Sequence, residues 1–314
     1  MTTITALTTT GMTNQITRSW DYQPLGASLG CYMKYINPSA GSYYWTVFDD
    51  FMSNNTGKQL VIVLGSPADY LVTRSAIGGA ALGGKANMCP DNLAGWSTAV
   101  QAVVQRAMNT WGRTGLIWEL WNEIGSSGPY YDDTLSLLGP YTRITAQAIW
   151  GIDPTAIISA PSLYDTPPGV AFNGWATASD GAGGTAKQWV SVGNFHSYEG
   201  AQYSPVALLN RWNAYQGYMS GVGVNWPVYV TESGYLMTDP LQALEHQRAM
   251  LTYAALGAKA YIAYSYDDAI SYAVSGIATQ WNAAAALIPA GAKISYLGMD
   301  SQVHLTINGS SYVY

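Results

Sequence analysis

Charge is what this chain has least of. Only 10% of its 314 residues are Asp, Glu, Lys or Arg, and its thirteen basic residues are scattered. Phosphate backbones are held by clustered cations, so nucleic acid is excluded as a partner, in keeping with the net charge of −6. Histidine is scarcer still, with three residues and no His-x-x-x-His spacing, so a dedicated zinc site lacks its ligands and no cofactor is expected. Two cysteines, Cys31 and Cys89, exclude a disulfide framework and a Cys-rich zinc module, leaving one bridge between two loop-like segments as the single option. No apolar stretch reaches the ~20 residues of a membrane span. The Thr-rich start, Met1 to Asn14, has neither a basic end nor an apolar centre, so it does not read as a signal peptide. Low lysine and a surface rich in Thr, Tyr and Gly nonetheless point to an extracytoplasmic setting.

What is abundant is apolar and aromatic. Hydrophobic residues make up 48% of the chain, and 12 Trp and 24 Tyr stand against 4 Phe. Tyr and Trp pair a flat apolar face with a hydrogen-bonding edge, which suits the faces and hydroxyl rims of sugars. Strand-like runs alternate with helical patterns along the whole length. Ile16–Trp20, Leu60–Leu64, Gly115–Leu120, Ala156–Ala160, Val190–Phe195, Val228–Thr231 and Ala260–Tyr264 read as strands, several apolar throughout, as in parallel sheets covered on both faces. Between them, Leu93, Trp96, Val100, Val103, Val104, Ala107, Met108 and Trp111 recur at helical spacing up to Gly112. A second helix carries Tyr141, Ile144, Ala148 and Ile149, and a third runs from an Asp239-Pro240 start to Gly257.

This alternation predicts an α/β fold, a (β/α)8 barrel of about 290 residues. Seven strands are evident, and Thr3–Leu7 is the only candidate for the eighth. Residues 291–314, with Asn308-Gly309 between alternating runs, predict a C-terminal β-hairpin packed on the barrel.

Two segments end on glutamates: Trp118-Glu-Leu-Trp-Asn-Glu123 and Val228-Tyr-Val-Thr-Glu-Ser-Gly234. A barrel brings the C-terminal ends of its strands to one cavity. The residues so placed are Arg18, Trp20, Ser66, Pro67, Asn122, Glu123, His196, Tyr198, Glu232, Tyr264 and Tyr266. Two carboxylates among an arginine, an amide, a histidine and aromatics form a set suited to glycoside hydrolysis. Glu119, within the strand, reads instead as a structural partner in a buried polar network. The long segments Gly78–Pro90, Pro161–Gln188 and Ser197–Trp226 are read as loops that could build an extended groove.

Trp-Glu-Leu-Trp-Asn-Glu followed by a Thr-Glu-Ser-Gly strand resembles clan A of the retaining glycoside hydrolases. Thr17-Arg-Ser-Trp-Asp21, Leu64-Gly-Ser-Pro67, Asn194-Phe-His-Ser-Tyr198 and Tyr264-Ser-Tyr-Asp-Asp268 narrow the resemblance to glycoside hydrolase family 39 and the cellulase-like bacterial exopolysaccharide hydrolases. It covers about Ile16 to Asp268, and departs from the pattern in an altered first strand and in a tyrosine where strand eight usually ends on tryptophan. The resemblance implies a retaining hydrolase of a β-linked polysaccharide or oligosaccharide. Glu123 is then the acid/base and Glu232 the nucleophile. Arg18 is expected to hold Glu232 ionised and Tyr198 to donate to it, Asn122 to bond the sugar 2-hydroxyl, and His196 to bind substrate or orient a carboxylate. Trp20, Trp118, Trp121 and Trp175 are candidate stacking platforms, with Tyr264 and Tyr266 at the rim. The alternative is a catalytically weak or inactive carbohydrate-binding barrel within a larger surface or phage-tail assembly.

Overall fold

The computed structural model describes residues 2–3, 16–19, 32–76, 85–125, 130–163, 168–198, 205–233, 242–263, 293–299 and 303–313. Its strands are β1 (Thr2–Thr3), β2 (Ile16–Arg18), β3 (Gln59–Val63), β4 (Ile117–Glu119), β5 (Ile157–Ser159), β6 (Gly193–Ser197), β7 (Val228–Ser233), β8 (Ala260–Ala263), β9 (Lys293–Met299), β10 (Val303–Ile307) and β11 (Ser310–Val313). The helices are α1 (Met33–Ile36), α2 (Thr46–Asn54), α3 (Leu93–Trp111), α4 (Leu138–Trp150), α5 (Pro168–Ala176), α6 (Pro205–Gly221) and α7 (Gln242–Leu256). None of the described helices is long and apolar enough to cross a membrane. The chain divides into two compact units, and each is described by itself. One comprises Ile16–Gly193 with Gly221–Val224; the other comprises Met1–Gln15, Asn194–Ser220 and Asn225–Tyr314.

In the first unit β2, β3, β4 and β5 form a parallel sheet in that order. Val61 lies opposite both Arg18 and Ile117, and Ile117 opposite Ile157. A parallel bridge from Ser159 to Val192 carries the sheet one step further. Leu60 to Leu64 are buried without a break, as expected of a strand covered on both faces. Helix α3 buries one face, carrying Trp96, Val100, Val103, Val104 and Ala107. Its start is capped by the Asn92 side chain, which accepts from Gly95 N at 3.1 Å. Its end is a left-handed cap, with Gly112 at φ +61° donating its N–H to Met108 O at 3.0 Å. Trp96 ties α3 to α4 by donating to Thr145 Oγ1 at 2.8 Å.

Cys89 is a free thiol, so the single bridge considered above does not form. Its Sγ instead donates to Leu137 O at 3.4 Å, and burial pushes its pKa well above the ordinary thiol value. Arg74 seals the same corner, its guanidinium shared among Asp91, Asp133 and the Cys89 carbonyl.

In the second unit β6, β7 and β8 form a sheet in that order, with β7 and β8 parallel. Two segments read as loops each contain a helix, α5 in the first unit and α6 in the second. In α6 the buried Leu208, Trp212, Tyr215 and Met219 recur at steps of four and three, a full apolar stripe.

A separate antiparallel sheet in this unit has the order β1-β9-β10-β11. The β10–β11 hairpin turns on Asn308 and Gly309 at φ +52° and +87°, the two positive angles a type I′ turn requires. The hairpin is thus one edge of a larger sheet. The start of the chain is a correction: Thr2 and Thr3 pair antiparallel with Ile294 and Lys293 of β9, so they are not part of a barrel strand. Residues 4–7 lie outside the described residues.

Candidate active site

In the first unit the site is built on the ends of β2, β3 and β4. The Arg18 side chain crosses β3 to reach β4, a span of two strand spacings, about 10 Å, that suits a long side chain. Its Nε donates to Glu119 Oε2 at 2.9 Å, and its Nη2 to Glu119 Oε1 and to Asn122 Oδ1, both at 2.6 Å. Glu119 is wholly enclosed and Arg18 nearly so. Within this unit the carboxylate that Arg18 holds is that of Glu119. Breaking such a buried pair from one side leaves an uncompensated charge, at a cost of about 3–5 kcal/mol.

Beyond Glu119 the chain leaves the sheet and is clamped by Ser162. Ser162 N donates to Trp121 O, its carbonyl accepts from Ile124 N, and its Oγ accepts from Glu123 N, each at 2.9 Å. The clamp holds Glu123 at φ +51°, a left-handed backbone that costs a non-glycine residue about 1–2 kcal/mol. Ser66, at the end of β3, is held at φ +44°, and its carbonyl accepts from Lys34 N at 2.8 Å. Strained backbone therefore marks two strand ends of this unit. The Glu123 carboxyl itself is buried, with the residue 7% exposed.

In the second unit the site is built on β6 and β7. Glu232, also 7% exposed, sits where β7 bulges against β8: Val230 pairs with Tyr261 and Ser233 with Ala263, so two residues oppose one. Such a bulge re-aims side chains. Tyr198 donates its hydroxyl to Glu232 Oε1, the contact expected of it, and His196 Nδ1 lies 3.6 Å from Oε2. The His196 carbonyl accepts from Arg211, at 2.8 Å from Nη2. Side-chain bonds lock the strands in register. Thr231 donates to Asn194 Oδ1 at 2.8 Å, and Ser233 Oγ donates to Ser197 O while accepting from Tyr261, both at 3.0 Å. Burial holds the Tyr261 hydroxyl far above its usual pKa, so it stays a neutral donor.

The tryptophans are the main correction. Trp118, Trp121 and Trp175 are fully buried and offer no face to a sugar. Trp121 donates to Tyr130 O at 2.9 Å and meets the edges of Tyr131 and Tyr141, while Trp175 donates to Thr142 Oγ1. Both are core. Trp20, Tyr264 and Tyr266 lie outside the described residues. Sequence reading also missed Ser162, whose only signal is its place just past a strand, after Ala160-Pro161.

No family model matches this sequence, and no curated protein is detectably similar to it. Among solved structures it is similar to a glucosidase from Croceicoccus marinus, at 10% identity and a TM-score of 0.60, over 98% of this chain and 71% of that one. A GH30 endoxylanase from Clostridium papyrosolvens C71 matches at 13% identity and a TM-score of 0.57, over 98% and 82%. An exo-β-1,4-mannosidase from Opitutaceae bacterium strain TAV5 matches at 14% and 0.51, over 87% of this chain but only 52% of its own length. At these identities the likeness is one of fold: the chain shares its architecture with glycoside hydrolases, without singling out family 39.

Proposed function

We propose that this chain is a retaining glycoside hydrolase acting on a β-linked polysaccharide or oligosaccharide. The observation that carries the reading is the pair of buried glutamates, Glu123 four residues beyond the end of β4 and Glu232 at the C-terminal end of β7, each held by its own polar frame. The fold shared with glycosidases supports it. Strands β2 to β8 are taken as seven of the eight in a (β/α)8 barrel within residues 1–290, with residues 291–314 outside the catalytic machinery.

In the first step Glu232 attacks the anomeric carbon while Glu123 gives its proton to the departing oxygen, leaving a glycosyl ester on Glu232. In the second, Glu123, now a carboxylate, takes a proton from water. The water oxygen displaces the ester, returning Glu232 as a carboxylate and Glu123 as an acid. Tyr198 steadies the ionised nucleophile, since a hydrogen bond to the charged form favours it. His196 keeps the other oxygen of Glu232 in place. Asn122 meets the sugar 2-hydroxyl, a contact that strengthens as the transition state forms.

The test is release of reducing ends from a panel of β-linked polysaccharides and of phenolate from aryl β-glycosides. Glu232→Gln should lose activity on every substrate. Glu123→Gln should lose it on polysaccharides but keep much of it on aryl glycosides whose leaving group needs no proton. Azide should restore Glu123→Ala by forming a β-glycosyl azide. Equal loss in both variants, with no rescue, would refute the assigned roles; wild-type silence across the panel would refute the activity.

A further inference from the structure

Glu119 carries a charge that neither catalytic step uses. It is enclosed within β4, four residues before Glu123, and both its oxygens are taken by Arg18 at 2.9 and 2.6 Å. Such a pair contributes little net stability, because desolvating two charges offsets their attraction, and an apolar pair of similar volume often serves a fold as well. An apolar pair could not orient an amide. The same Nη2 that meets Glu119 also donates to Asn122 Oδ1 at 2.6 Å. A guanidinium offers donors and no acceptor, so the carboxamide edge facing it must be the oxygen. The Nδ2 edge, with two donors, is turned away from Arg18. An unconstrained asparagine can stand either way round, its two ends being almost the same size. The side-on fork from Glu119 to Nε and Nη2 fixes the plane of the guanidinium, which a single-point contact would leave free to swing.

We infer that Glu119 is a positioning residue: acting through Arg18, it locks the Asn122 carboxamide with its N–H donors free for the sugar 2-hydroxyl. The inference rests on the glycosidase reading for its purpose, but not for its geometry. Glu119 touches neither substrate nor reacting atoms.

Two variants test it. Glu119→Gln removes the charge. The double variant Arg18→Met/Glu119→Met removes both charges at similar volume, and guards against the single variant failing to fold. The first readout is kcat/KM on 2,4-dinitrophenyl β-D-glucopyranoside and β-D-xylopyranoside against their 2-deoxy counterparts. These leaving groups need no proton, so Glu123 is not limiting. Wild type should prefer the 2-hydroxy sugar by about a hundredfold, and both variants should lose at least tenfold of that ratio, approaching Asn122→Ala. An active wild type without the preference, or variants that lose rate while keeping the ratio, would overturn the inference. The second readout needs no activity: the side-chain 1H–15N amide pair of Asn122, identified by its absence from Asn122→Asp. It should be dispersed in the wild type and collapse toward free-amide positions in the double variant. Unchanged signals there would overturn the inference, whereas a changed pair in a chain that hydrolyses nothing would fail the glycosidase reading alone.

Discussion

Replacing Gly65 by alanine would set a methyl group 2.8 Å from Trp121 Cδ2, with Cε3 and Cε2 at 3.0 and 3.2 Å. Carbon atoms in contact prefer about 3.5–4.0 Å, so something must move. The indole is poorly placed to yield, being fully buried, bonded to Tyr130 O and wedged against Tyr131 and Tyr141. Gly65 also has φ +104°, beyond the left-handed region that alanine tolerates poorly. Overpacking costs about 1–3 kcal/mol and the backbone strain about another 1–3, so Gly65→Ala should lose roughly 2–6 kcal/mol. Gly57→Ala is the control, because Gly57 has φ +81° but nothing within 4 Å of the added methyl. It should cost the strain alone, about 1–3 kcal/mol. Equilibrium urea unfolding of both, followed by circular dichroism, measures the difference. Trp121 lies two residues before Glu123, so surviving Gly65→Ala protein should also lose kcat, as sub-ångström misplacement of a catalytic group does. Equal loss of stability in the two variants would show that Trp121 is free to shift and that the packing argument fails.

Three further outcomes follow from the same contacts. Tyr198→Phe removes the donor on Glu232, so the acidic limb of kcat/KM should move to higher pH; an unmoved limb would make Tyr198 a packing residue. Burial works against ionisation of Asp49, but bonds from Arg106 and Trp111 outweigh it and its pKa is lowered. That contribution is present above the unfolded value near 4 and is lost as pH falls through the lower folded value. Asp49→Asn should therefore be less stable than wild type at pH 7, with the gap closing below about pH 4 in acid titrations of urea stability. In a Cys31→Ser background, Cys89 should resist iodoacetamide until the chain unfolds, because burial withholds both thiolate and access; fast native labelling by mass spectrometry would contradict its placement.

Much of this was legible in the residues. Gly112 and Gly257 stop helices because they accept the positive φ the closing turn needs, +61° and +108°, and Asn308-Gly309 makes its hairpin for the same reason. Strands that are apolar throughout announce parallel sheets, and glutamates at their ends stand out as costly charges. What escaped depends on contacts far apart in sequence. Arg18 finds Glu119 101 residues away, and nothing local to either names the other. Whether a tryptophan offers its face or hides it depends on its neighbours, and a glycine 56 residues earlier closes over Trp121. Helix α6 escaped because its Gly217 and several polar residues blur a stripe that only the buried Leu208, Trp212, Tyr215 and Met219 reveal.

The measurement that bears most directly on the central claim is capture of the glycosyl-enzyme. A 2,4-dinitrophenyl 2-deoxy-2-fluoro-β-glycoside of whichever sugar the aryl glycoside panel shows to be cleaved forms the covalent intermediate but slows its hydrolysis, since fluorine replaces the 2-hydroxyl that stabilises the transition state. A retaining mechanism through Glu232 gives a burst of dinitrophenolate matching the enzyme concentration, one added sugar by intact mass, and a label on the peptide bearing Glu232 that is absent from Glu232→Gln. A label on Glu123 or another side chain, or turnover of the cleaved substrate with inversion at the anomeric carbon, would contradict it.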